Sequence, residues 1–142
     1  MKRIWIDESL AFVDIQSKNG KAPVYVCHNT ARNNINIEFL IQTKGSESIL
    51  SIVTQEKHLR QTLETVKEIK KPAEIERFTG SKLTCVSVRT QDMREKVEAM
   101  RTIERFTKPA MILMTPLHLK VFFNGVNPRK LKKLKEALQN AN

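Results

Sequence analysis

The chain has 142 residues, 40% of them apolar, with 25 Lys and Arg against 15 Asp and Glu, for a formal charge of +10. That length suits one ordinary domain or two very small ones, and the apolar share suffices for a core, which excludes disorder throughout. No apolar run approaches the ~18 residues that a membrane-spanning helix needs, so no membrane partner is expected.

The opening residues, Met1-Lys2-Arg3-Ile4-Trp5-Ile6-Asp7-Glu8, turn acidic before a hydrophobic region develops and make a poor signal peptide. Trp5 and Ile6 predict a short strand, Asp7-Glu8-Ser9 a turn, and Leu10 to Ile15 a further strand. Ser17-Lys18-Asn19-Gly20-Lys21 is a loop, because Asn-Gly supplies the positive φ of a tight reversal. Pro23 suits a first helical turn. Val24, Cys27 and Ala31 then recur at helical spacing, so a helix to Asn33 is expected, with Cys27 in its core stripe and a left-handed stop at Asn33-Asn34.

Two β-type runs follow across a turn at Lys44-Gly45-Ser46. In the first, Ile35, Ile37, Phe39 and Ile41 alternate with Asn34, Asn36, Glu38, Leu40 and Gln42, the period of a strand with one buried face. The density of Asn, Glu, Gln and Ser here suits recognition of a small polar molecule. Lys57 to Lys70 reads as a helix striped by Leu59, Leu63, Val66 and Ile69 and stopped by Pro72. Ala73 to Phe78 is a candidate strand, with a turn at Gly80-Ser81.

The pattern then repeats: a strand from Leu83 to Arg89, a helix from Met93 to about Phe106 capped by Asp92, and strands over Pro109–Met114 and Leu117–Asn124. Asn127-Pro128 opens a last helix with Leu131, Leu134 and Leu138 as its stripe. No closing strand is expected after it. Two successive β-α-β-β-α units imply an internal duplication, with boundaries at 1–79 and 80–142. The expected fold class is α+β, each unit a ferredoxin-like split β-α-β arrangement with an antiparallel sheet and helices on one face. The bare sheet faces invite pairing, within the chain or between chains.

The charge has two readings, an anionic partner or a solvated surface. Lys and Arg look scattered, apart from Arg129-Lys130-Leu131-Lys132-Lys133-Leu134-Lys135, whose Leu spacing makes it the wet face of a helix. Nucleic acid is therefore not an expected partner, since basic charge alone is a sequence-independent signal. Cys27 and Cys85 lack the spacing of a zinc or redox pair, which points to a reducing cytoplasm. His28, His58 and His118 are too far apart in sequence to suggest a metal site or a triad, and no phosphate loop occurs. No catalytic residue, metal ligand or cofactor is assigned, and an enzyme is not expected.

Asn34-Ile35-Asn36-Ile37-Glu38, followed by Gly45-Ser46-Glu47-Ser48-Ile49-Leu50-Ser51-Ile52-Val53, resembles the ligand-sensing strand pair of ACT domains, above all at the regulatory end of aspartate kinase. Ile4 to Val13 resembles the entry strands of that region, and Ala73-Glu74-Ile75-Glu76-Arg77 before Leu83 to Val88 resembles its passage between ACT units. The resemblance implies a tandem ACT protein without a kinase portion, similar to a regulatory subunit. It implies a small amino acid ligand of the lysine or threonine type at an ACT–ACT interface, a homodimer and a partner enzyme. On this resemblance Lys18, Asn19, Gly20 and Ala22 hold the ligand's charged ends. A helix start favours a carboxylate on physical grounds too. Asn34, Asn36 and Glu38 read the ligand, with Glu38 facing an ammonium, and Ser46 and Glu47 lie beyond the turn. In the second unit Arg89-Thr90-Gln91-Asp92-Met93 has no glycine, and Lys108-Pro109-Ala110 stands where the Asn-Ile motif would be, so that unit is expected to sense nothing. The alternatives are a ferredoxin-like nucleic-acid-binding module, which would want aromatic residues on the central strands, and a structural dimerisation unit without ligand.

Overall fold

The computed structural model describes residues 2–18, 20–44 and 48–140. The chain forms two compact units, one spanning Ser9–Lys82 and the other Leu83–Asn142 together with Met1–Glu8. The sequence-based boundaries of 1–79 and 80–142 place residues 1–8 with the first unit, whereas the contacts group them with Leu83–Asn142. Two strands contribute to both units: β1 (Arg3–Ser17) and β4 (Ile75–Arg89). Neither breaks where turns were expected. Asp7-Glu8-Ser9 continues β1, and Gly80 lies inside β4 with no positive φ. Gly80 answers a different need, since a Cβ there would lie 2.9 Å from Leu59 Cδ1 and 3.1 Å from Leu63 Cδ2. The glycine lets a helix approach the strand closely.

The Ser9–Lys82 unit adds α1 (Ala22–Arg32), β2 (Ile37–Lys44), β3 (Ser48–Gln55) and α2 (Leu59–Glu68), the last entered through a single 3₁₀ turn. Its strand order is β2-β3-β1-β4, the ferredoxin-like order of a complete βαββαβ unit. β3 is antiparallel to both neighbours, β1 and β2. Val13 and Ile15 of β1, Leu50 and Ile52 of β3, and Val66 and Ile69 at the α2 end form the core with Ala22 and Val26 of α1. The buried face of α1 is therefore Ala22–Val26–Thr30, spaced i, i+4, i+8. The expected stripe is wrong. Val24 is 76% exposed and Cys27 is exposed, so Cys27 belongs to the wet face. Asn34 does take the left-handed conformation, at φ 54°, just beyond the helix.

The alternation expected along β2 fails at one residue. Ile37 pairs with Thr54, but Phe39 pairs with Val53, which leaves Glu38 as a bulge. The extra residue reverses the parity beyond it. Leu40, opposite Ile52, packs on the core with Ile37, while Phe39 and Ile41 turn to the other sheet face.

The second unit contains α3 (Met93–Glu104), β5 (Met111–Met114), β6 (His118–Asn124) and α4 (Pro128–Asn140). Its order is β1-β4-β6-β5. The place of a closing strand after α4 is filled from the N-terminal stretch of β1. Ile4 and Ile6 pack on this unit's core, and Lys2 Nζ donates to the Leu138 carbonyl at 3.3 Å. Leu119, Val121 and Phe123 of β6 meet Val86 and Val88 of β4, Ile103 of α3, and the Leu131, Leu134 and Leu138 stripe of α4. Both units are thus α+β ferredoxin-like units, with helices on one face of an antiparallel sheet.

Candidate functional site

The residues singled out in the sequence separate into two groups at opposite ends of the Ser9–Lys82 unit. Lys18, Gly20 and Ala22 surround the β1–α1 turn, beside Ser48, which pairs with Ser17. Gly20 has φ +68°, a conformation that L side chains adopt only with strain, and its Cβ position lies 3.7 Å from Ser48 Oγ. The Lys18 N–H donates to the Glu74 carbonyl at 3.2 Å. Ala22 is fully buried, so only its backbone could meet a ligand. Asn19, Ser46 and Glu47 lie outside the described residues.

Asn34, Asn36 and Glu38 sit at the far end of β2, roughly 24 Å from the turn end by strand rise. All three are exposed. Backbone geometry already employs two of them. Asn34 supplies the left-handed stop and donates its N–H to the Ala31 carbonyl at 3.2 Å, and the Asn36 carbonyl accepts from Thr54 Oγ1 at 2.7 Å. The Glu38 carboxylate projects from the bulge.

At the turn end, Lys18 lines an open cleft of about 590 Å³ with Lys67, Glu68, Lys70, Lys71, Glu74, Ile75 and Glu76. The α2–β4 connection, which contributes Lys70, Lys71 and Glu74 to its wall, carries Glu74 at φ 52°. The first turn of α1 has no acidic residue and no side-chain cap, and Pro23 sits in it. Helix dipole and uncapped start favour an anion at the α1 start, while the cleft's four lysines are nearly balanced by Glu68, Glu74 and Glu76.

A second recess, of about 260 Å³ and mostly apolar, is lined by Asp14, Gln16, Ile49, Arg77, Phe78 and Thr79. Asp14 Oδ1 accepts from Ser51 Oγ at 2.6 Å, and Arg77 Nε donates to Gln16 Oε1 at 3.0 Å. Sequence reading missed this group. The signal was available in β1, where Asp14 and Gln16 alternate with the buried Val13 and Ile15. The lysines of the α2–β4 connection gave no such signal, because a basic loop looks like any solvated loop.

The corresponding turn of the second unit is built differently. A cleft of about 620 Å³ is lined by Arg3, Arg89, Thr90, Gln91, Asp92, Glu95 and Leu117. The Asp92 carboxylate accepts from the Arg94 N–H at 2.8 Å and so caps α3 itself, and Glu95 adds a second acid to the first turn. Lys96, 4% exposed, donates to the Thr115 and Pro116 carbonyls at 2.9 and 2.7 Å, tying α3 to the β5–β6 turn. Cys85 is buried on β4, and that burial pushes its thiol pKa up, partly offset by the contact with Ser87.

Solved structures supply the comparison. The regulatory subunit of aspartate kinase from Thermus thermophilus, in a ligand-free form, matches at a TM-score of 0.78 and 12% identity, over 99% of this chain and 97% of that one. The chain has the fold of an aspartate kinase regulatory region. A structure of aspartokinase alpha and beta subunits matches at a TM-score of 0.82 and 18% identity, over 98% of this chain and 92% of that one. The Synechocystis aspartate kinase matches at 0.79 and 13% identity, over 97% of this chain but 26% of that one. The similarity therefore falls within a quarter of that enzyme and coincides with free-standing regulatory subunits elsewhere. No family model matches the chain, and no curated protein matches it.

Proposed function

We propose that the chain is a non-catalytic ACT-type regulatory module, and that its Ser9–Lys82 unit senses a small amino acid of the lysine or threonine type on behalf of a partner enzyme. The observation that carries this reading is the contrast between the two helix starts. α1 begins after Gly20 with no acid in its first turn and no side-chain cap, whereas α3 is closed by Asp92. A ligand carboxylate suits the first and is repelled by the second.

In this reading Lys18, Gly20 and the Ala22 backbone receive the carboxylate, and Asn19, Ser46 and Glu47, outside the described residues, belong to the same proposed site. Asn34, Asn36 and Glu38 lie too far away to touch the same molecule from within the unit. They would serve an amino acid held by the turn of a second copy, which is why a homodimer belongs to the proposal. The test is a thermal-shift screen against the proteinogenic amino acids. A ligand that binds only the folded state raises Tm in proportion to the logarithm of its concentration. A selective rise with one or two amino acids supports the proposal, and a flat response to all twenty overturns it.

A further inference from the structure

We propose that α4 presents a nucleic-acid-binding face that contacts the phosphate backbone without reading sequence. The charge that looked scattered along the sequence is unevenly divided between the units. The Ser9–Lys82 unit holds 11 Lys and Arg against 8 Asp and Glu, and the other unit 14 against 7. Much of that excess lies on one helix. α4 carries Arg129, Lys130, Lys132, Lys133 and Lys135, all exposed, with Glu136 as its single acid. Leu131, Leu134 and Leu138 are buried, so helical periodicity spreads the five cations over the opposite arc. Among the described residues no ion pair engages any of the five. On α3, by contrast, Arg101 is paired with Glu98 at 3.1 Å.

The occupant follows from what the arc lacks. A membrane-surface helix inserts an apolar face, but the apolar face of α4 is spent on its own core. A specific protein interface centres on aromatic or apolar anchors and is depleted in Lys, and this arc is mostly Lys with no aromatic residue. Closely spaced cations without an apolar anchor suit phosphodiester groups, whose binding is driven by counterion release.

The test is fluorescence anisotropy of the full chain with a labelled 20-base-pair DNA duplex of arbitrary sequence, titrated from 50 to 200 mM KCl. At about 0.9 per phosphate contact, five contacts give a log–log salt slope near −4.5 and about a 500-fold affinity loss across that range. A second sequence should bind equally. The triple variant Lys132→Gln/Lys133→Gln/Lys135→Gln keeps the leucine stripe and exchanges residues of similar helix propensity, so Tm should hold while the slope flattens by about 2.7. Removing three charges from the other unit outside its candidate cleft, by Arg32→Gln/Lys57→Gln/Arg60→Gln, should leave the slope unchanged. The proposal is overturned if the duplex fails to bind at 50 mM KCl, or if the two triple variants weaken binding equally. It is also overturned if poly-glutamate or phosphatidylserine vesicles bind more tightly than the duplex at the same salt.

Discussion

The two units share an order of elements but begin their first helices in opposite ways. α1 follows a glycine at φ +68° and two lysines, and its first turn carries no acid. α3 follows Thr90 and Gln91, its own Asp92 carboxylate takes the Arg94 N–H, and buried Lys96 locks the helix to the next turn. One helix start is left available to an external anion, and the other is satisfied from within. The two units share a scaffold, and a few residues at one turn set their helix starts apart.

The largest effect expected of a single change falls on the core of the self-satisfied unit. Leu134→Ala removes a fully buried side chain and should cost about 2–5 kcal/mol in urea unfolding. Because β1 and β4 serve both units, Trp5 fluorescence and far-UV circular dichroism should report a single transition. Two separated transitions would show that the units fold independently.

Gly80→Val should cost about 1–3 kcal/mol, because the added carbons meet Leu59 and Leu63, whereas Gly125→Val, with nothing within 4 Å, should be near neutral. Lys96→Met leaves the Thr115 and Pro116 carbonyls without their donor and should cost about 1–3 kcal/mol, with no effect on any response to amino acids.

The two cysteines extend the comparison at smaller cost. Cys27 should react with a thiol reagent in the native state, and Cys85 only on unfolding. The unfolded chain ionises Cys85 first as pH climbs past its ordinary value, so this thiol contributes stability below that pH and lowers it above. A stability profile that rises there would contradict the burial.

Much of this architecture was legible in the sequence. The Leu131, Leu134 and Leu138 stripe, the Asp92 and Asn127 caps and the β6 alternation all rest on local periodicity or capping, and all are present. What was not legible depends on distant partners. The bulge at Glu38 is set by pairing with β3, so strict alternation placed Phe39 on the wrong face. Gly80 looked like a turn because close approach by α2 leaves no local mark. The i, i+3, i+7 pattern of Val24, Cys27 and Ala31 competed with Ala22–Val26–Thr30, and only the sheet beneath chose between them. Of the candidate site, the loop at Lys18–Ala22 could be read from Asn-Gly. Its separation from Asn34–Glu38 could not, because residues close in sequence lie at opposite ends of a helix and a strand.

The central claim is that the open helix start of the Ser9–Lys82 unit, and not the capped one, receives the amino acid. Lys21→Asp reverses the charge at the α1 start, where Pro23 lacks the N–H that Arg94 offers Asp92, and so repels an incoming carboxylate, while Asp92→Ala opens α3 at a cost of about 1 kcal/mol. The deciding measurement is calorimetric titration of L-lysine and L-threonine into the wild type and both variants. The account predicts binding of at least one of them that Lys21→Asp abolishes and Asp92→Ala leaves intact. Binding that survives Lys21→Asp, or that Asp92→Ala removes, would contradict it.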